Sequence, residues 1–310
     1  MTEPRWRPLK VGVNLPTVEG TLAGKTPGWE DIAAFARQAE ALGFDSLWVP
    51  DHLLLRWEER TRGIWECWSL LPALAALTHR IELGPLVTRA GLRHPALLAK
   101  MAAAVDEISG GRLVLGLGAG MPGLEDTAFG FPTDHRVDRF EEALRIVLSL
   151  LRTGHVDFDG RYYQARDYEL KPRGPRPGGP PLMIGAKGPR MLRLAATYAD
   201  LLNAEGPLRQ PADFAPLRAA ADAACAEVGR DPATLGRTAS VVVSLPVAQG
   251  HGAQGHGGPA QPASPEEIAE TLRGYAREGL SHVQLWLSPT SLAGLEWFKA
   301  VLDLLDRGEP

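Results

Sequence analysis

From end to end, the sequence alternates short, nearly uninterrupted apolar runs with longer stretches of helical periodicity. The runs are VGVNL (11–15), DSLWV (45–49), IELGPLVT (81–88), RLVLGLG (112–118), PLMIGA (181–186), DLLNA (200–204), ASVVVSL (239–245) and HVQLWLS (282–288). Apolar and polar positions do not alternate strictly within them, as expected for parallel strands covered on both faces. The helical stretches between them have readable ends. Acids open PGWEDIAAFARQAEALG and Gly43 closes it, Gly110 and Gly111 end HPALLAKMAAAVDEISGG, and Ser264, Pro265 and Glu267 form a capping box before an apolar-periodic run. Eight strands, each followed by a helix or by room for one, predict an α/β fold of the (β/α)8 TIM-barrel type. A doubly wound open sheet is the competing architecture. It needs a glycine-rich first turn, whereas this chain has NLPTVEG there.

Two segments fall outside the repeat. Residues 154–180 lie between the fourth and fifth strands, and their aromatic and β-favouring residues predict an inserted hairpin with a Pro/Gly-rich return. Residues 249–264 predict a flexible loop. His251 and His256 sit in it among glycines that cannot preorganise a metal site, so no metal is expected. At 310 residues the chain is read as one domain, 1–310.

Composition narrows the functional classes. A net charge of -4 with no polybasic block argues against nucleic acid or an anionic membrane as partner. The two cysteines, Cys67 and Cys225, have neither ligand spacing nor a disulfide pattern, and no secretory signal or spanning run is present, so a soluble cytoplasmic protein is expected.

Barrel enzymes work at the C-terminal ends of their strands. Those ends offer Asn14 on the first, Asp51 and His52 on the second, and Thr88 and Arg89 on the third. The fourth is followed by GLGAGMPG and the fifth by IGAKGPR, while the sixth and eighth add Asn203 and Trp286. Glycine lets backbone approach a flat ligand or simply permits a tight turn. A helix start beside Lys187 and Arg190 suits a phosphate, or is an ordinary turn with solvated charges. His52 is the side chain best suited to move a proton near neutrality, and Asp51 beside it could hold or charge the ring or merely cap a loop.

With these pieces in order, the chain resembles the luciferase-like monooxygenase superfamily, in particular its coenzyme F420-dependent branch. The resemblance rests on GFDSLWVPDH (43–52), LGPLVTRAGLRHPALLAKMAAAVDEISGGRLVLGLGAGM (83–121), FPTDHRVDRFEEALRIVLSLL (131–151), GRYYQARDYELKPRG (160–174) and PPLMIGAKGPRMLRLAATYAD (180–200). It implies a deazaflavin or flavin lying over the strand ends and, commonly, a homodimer. Asp51 and His52 then match the acid and histidine beside the ring. Leu86 and Val87 match a bulge behind it that often carries a non-proline cis peptide. Gly118, Ala119 and Gly120 would line the cofactor, and Gly185, Ala186, Lys187 and Gly188, with Arg190 nearby, would hold its phosphate. Many relatives have a small residue in place of Lys187 and a tryptophan in place of Met121. Asn14, Met121, Asn203 and Trp286 are the expected substrate pocket. The implied activity is hydride transfer between F420 and a small organic substrate, with Lys187, Arg190, Arg161 and Arg173 as a possible channel for the acidic tail. The alternatives are a reduced-FMN monooxygenase using oxygen, a non-catalytic flavin-binding barrel, and a sugar-phosphate barrel enzyme.

Overall fold

The computed structural model describes residues 7–22, 24–57, 60–246 and 263–307. Eight parallel staves close into a barrel: β1 (Lys10–Asn14), β2 (Ser46–Val49), β3 in two pieces (Glu82–Pro85 and Thr88–Arg89), β4 (Leu115–Gly118), β5 (Leu182–Ala186), β6 (Leu201–Leu208), β7 (Gly236–Ser244) and β8 (His282–Ser288). Their order around the sheet is β3, β2, β1, β8, β7, β6, β5, β4. The seam is closed by parallel pairing of Leu83 with Leu113, and of Thr88 and Arg89 with Leu117 and Gly118. This is the (β/α)8 architecture expected from the runs. The third stave differs from the single run 81–88: it is interrupted between Pro85 and Thr88, where the Leu86–Val87 peptide is cis.

The surrounding helices are α1 (Trp29–Leu42), α2 (Cys67–Leu77), α3 (Pro95–Ser109), the short α4 (Leu124–Phe129), α5 (Arg136–Leu148), α6 (Pro189–Tyr198), α7 (Ala215–Glu227), α8 (Pro265–Arg277) and α9 (Leu292–Asp306). Their ends follow local chemistry. Gly43 and Gly110 take the left-handed conformation that closes α1 and α3, and Ser264 and Glu267 cap α8 reciprocally. Among the described residues, no helix is long and apolar enough to cross a membrane.

Two antiparallel hairpins project from this frame. His155–Asp159 pairs with Gln164–Glu169 within 154–180, and Leu54–Trp57 pairs with Arg60–Gly63 directly after β2. The second hairpin was not among the elements expected from the sequence. Residues 249–262, with His251 and His256, lie outside the described residues.

Alternate residues of each stave face the helices or the tube. Val11, Val13, Leu47, Val49, Leu83, Leu115 and Leu117 belong to the outer apolar layer. Trp48, Val114 and Met183 fill the inside. The indole fits because its neighbours on both sides are glycines: a Cβ on Gly12 would lie 2.5 Å from Trp48 Nε1, and one on Gly84 3.0 Å from Cζ3. Trp48 is fully buried core. Below the mouth the interior is polar. Trp48 Nε1 donates to Ser46 Oγ (2.7 Å), which also bonds His282 Nε2 (2.7 Å). Asn203 Nδ2 donates to Thr238 Oγ1 (2.8 Å) and Gln284 Oε1 (3.0 Å).

Candidate active site

β2 runs apolar to Val49, and the chain leaves it through Pro50 with Asp51 and His52 in succession. The two side chains part company there. Asp51 is fully buried and takes a bidentate contact from Arg93, Nη1 to Oδ2 at 2.7 Å and Nη2 to Oδ1 at 2.9 Å. It also accepts the backbone N–H of Arg89 at 3.0 Å, which ties the β2 exit to the second piece of β3. Arg93 reaches Glu66 as well, the residue that caps α2. Asp51 therefore braces the barrel rim instead of facing its mouth.

His52 turns the other way. Its ring is 39% exposed, and Nδ1 lies 2.9 Å from Oε1 of Glu125, a carboxylate at the start of α4 that is 3% exposed. The same carboxylate accepts the backbone N–H groups of Leu53 (2.6 Å) and Leu54 (3.3 Å) and pairs with Arg89. Arg89 also donates to Asp126 Oδ1 (2.6 Å) and to the carbonyl of Met121 (3.1 Å). Burial first, and the Arg89 guanidinium second, push the His52 pKa below its ordinary 6.5, while Asp51 and Asp126 pull it up. With Nδ1 on Glu125, Nε2 is the ring nitrogen that the carboxylate leaves available.

The glycine bends behind His52 have a specific occupant. A Cβ on Gly118 would come within 2.7 Å of Val87 Cγ2, and one on Gly185 within 3.2 Å of the same atom. A Cβ on Gly116 would lie 3.2 Å from Val87 Cγ1. The Val87 side chain thus lies against β4 and β5 where Gly118 and Gly185 make room for it, whereas a Cβ on Gly116 would first meet the Pro85 carbonyl, at 2.2 Å. Gly120 has φ +73° and faces Arg89. Ala119 is partly buried beside it, and Met121 stands 66% exposed on the rim.

At the end of β5, Gly185 and Ala186 lead to Lys187, which is exposed, and Gly188, the N-cap of α6. A Cβ on Gly188 would meet nothing within 4 Å, and no side chain caps the helix. Arg190 points away to Asp138 and Glu141 of α5, so its charge is already paired. Arg173 donates to the carbonyls of Leu151, Arg152 and Pro177, and Arg161 lies against the ring of Tyr162. Among the described residues, Lys187 is the one of the four expected channel cations with no ion pair, side-chain hydrogen bond or ring contact. Asn14 donates Nδ2 to Leu285 O, while its Oδ1, although buried, has no hydrogen-bond partner among the described residues. Asn203 is taken up by the interior network, and Trp286 on β8 is partly buried. Glu125 and Asp126 were absent from the sequence reading. A pair of acids opening a helix just after the fourth strand was the available signal.

Comparison with known proteins bears on the family and the fold. The family model for luciferase-like monooxygenases matches residues 9–254. A 5,10-methylenetetrahydromethanopterin reductase of Archaeoglobus fulgidus is 35% identical over 202 residues, covering 64% of this chain and 56% of the relative. An F420-dependent glucose-6-phosphate dehydrogenase of Kineococcus radiotolerans is 34% identical over 204 residues, covering 64% and 57%. The match thus spans little more than half the length of these curated relatives. In fold, the chain is similar to an F420-dependent secondary alcohol dehydrogenase solved with an F420–acetone adduct, with a TM-score of 0.79, 20% identity and coverage of 97% and 99%. This chain belongs to the luciferase-like monooxygenase family.

Proposed function

We propose that this protein is a coenzyme F420-dependent oxidoreductase that transfers a hydride between the deazaflavin and a small organic substrate. The observation that carries the reading is a partly exposed imidazole at the end of β2, His52, fixed by Nδ1 on the buried carboxylate of Glu125. The names of the relatives at 34–35% identity point to the same chemistry.

The residues present fit such a group. Gly188 leaves open space at an uncapped helix start suited to a phosphate, and Asn14 Oδ1 is a buried acceptor without a partner among the described residues. Leu86, Val87, Ala119 and Gly120 would bear on the ring, with Gly118 and Gly185 acting through Val87. Gly185, Ala186, Lys187 and Gly188 would hold the phosphate, and Lys187 would meet the acidic tail. When bound, F420 supplies a hydride donor or acceptor at C5 of its ring.

The chain's own task is positioning and proton handling. Burial favours the neutral form of His52, and with Nδ1 on Glu125 its Nε2 is then the acceptor. It takes up or returns the proton that accompanies hydride movement. Asp51 holds the rim that carries it, through Arg93 and the Arg89 backbone. Met121 and Trp286 supply apolar walls that keep water from the reacting atoms, which must approach to about 3–3.5 Å. A cytoplasmic homodimer completes the reading. Cys67 and Cys225 are free and buried, and α3 exposes Leu97, Ala104 and Ile108 on one face, with Met101 partly buried among them.

The test is a side-by-side titration of the purified protein with F420 and with FMN, each oxidised and reduced. Micromolar binding of F420 without binding of FMN is expected. Binding of FMN alone would replace this reading with the reduced-FMN monooxygenase.

A further inference from the structure

We infer that Glu125 is a positioning residue for His52: its carboxylate selects the ring's Nδ1–H tautomer and fastens the root of the Leu54–Gly63 hairpin in the same contact. The inference rests on the reading of His52 as the proton-carrying group.

Glu125 is 3% exposed and receives donors on both oxygens. Oε1 faces His52 Nδ1 at 2.9 Å and the Arg89 guanidinium, and Oε2 takes the N–H groups of Leu53 at 2.6 Å and Leu54 at 3.3 Å. A carboxylate paired with arginine is ionised and can only accept. The hydrogen between the two residues therefore sits on Nδ1, and in the neutral ring Nε2 is bare. The other groups facing the imidazole do not compete for Nδ1. Arg89, on the second piece of β3, has no acceptor to offer. Asp126, on α4, is occupied by Arg89 Nη2 and by the Gly123 N–H at 2.7 Å. Asp51 is held by Arg93. Because the same oxygens also hold the first amides of the hairpin, loss of the carboxylate frees the ring and the hairpin root together.

The experiment uses the cofactor-free protein labelled with 15N-histidine, with long-range 1H–15N correlations recorded across pH. The His52 signal is assigned by its loss in His52→Gln. Wild type is expected to show a protonated Nδ1 and a bare Nε2 near pH 7.5. In Glu125→Gln, both tautomers should be populated, and the proton affinity of the ring should fall at least about tenfold as the neighbouring anion is lost. In a uniformly 15N-labelled sample of the same variant, exchange of the Leu53 and Leu54 amides should quicken. Glu125→Asp, which keeps the charge, should hold the affinity nearer to wild type. A wild-type ring protonated on Nε2 would overturn the inference, and that result needs no variant to fold. So would Glu125→Gln with unchanged tautomer and affinity. Failure to bind F420 alongside the expected tautomer would instead remove the functional reading and leave the role of Glu125 standing.

Discussion

Asp51 and Arg93 form a bidentate ion pair at 2.7 and 2.9 Å across the rim of the barrel, with the aspartate side chain fully buried. A motif that reads as a catalytic acid beside a histidine is thereby divided between two duties. In Asp51→Asn the charge of Arg93 is left to Glu66, and one of the two oxygens that accept from Arg93 and the Arg89 N–H becomes a donor. Breaking a buried pair from one side costs about 3–5 kcal/mol. Asp51→Asn is expected to lower the urea-unfolding free energy by an amount of that order, with activity lost in step with folding. Unchanged stability with abolished turnover would return Asp51 to the chemistry.

The glycines of β4 and β5 give a second prediction. Gly118→Ala sets a methyl group 2.7 Å from Val87 Cγ2. Overpacking of this kind costs about 1–3 kcal/mol. Val87→Ala removes the obstacle, so the double variant Gly118→Ala/Val87→Ala should recover most of the loss relative to Gly118→Ala alone. Additive losses would show that the glycine serves something other than the bulge.

How far this was legible in the sequence depends on burial. The eight staves showed plainly because a strand covered on both faces needs an unbroken apolar run, as in LWV at 47–49. Caps such as Gly43 and the Ser264–Glu267 box also act locally, so they too could be read. The hairpin after β2 could not, because its second strand, Arg60–Gly63, is polar and partly exposed and shows no alternation. His52 was legible as a rim histidine, but its partner was not. Glu125 lies 73 residues away in sequence, and nothing local says that this acid is buried. The glycines were legible as missing side chains, whereas Val87, which occupies the space, is brought there only when the barrel closes.

His282 supplies a prediction in pH. It is 3% exposed inside the barrel, bonded to Ser46, and burial, with a smaller push from Lys10, drops its pKa from 6.5 to about 3. Between those values the unfolded chain binds a proton that the folded protein refuses, so stability rises with pH across the window and is lost as pH falls below 6.5. At pH 5 the loss from this group is about 2 kcal/mol. In His282→Gln, the difference in unfolding free energy between pH 7.5 and pH 5 should shrink by that amount. An identical difference in both proteins would remove His282 as its source.

His52 itself is tested by separating binding from turnover. A positioned acid–base group contributes about 10²–10⁴-fold to rate. His52→Ala should lose turnover of reduced F420 with a responsive substrate by a factor in that range, while its affinity for F420 changes by less than about tenfold. Equal losses in both would make His52 a binding residue only.

A crystal structure of the protein with F420 bears most directly on the rim as a deazaflavin site. The ring should rest against Leu86 and Val87, with His52 Nε2 within hydrogen-bonding distance (about 3 Å) of the ring or of a substrate analogue on it, and the phosphate at Gly188. A ring bound elsewhere on the barrel, or a His52 whose Nε2 faces only solvent in the complex, would contradict it.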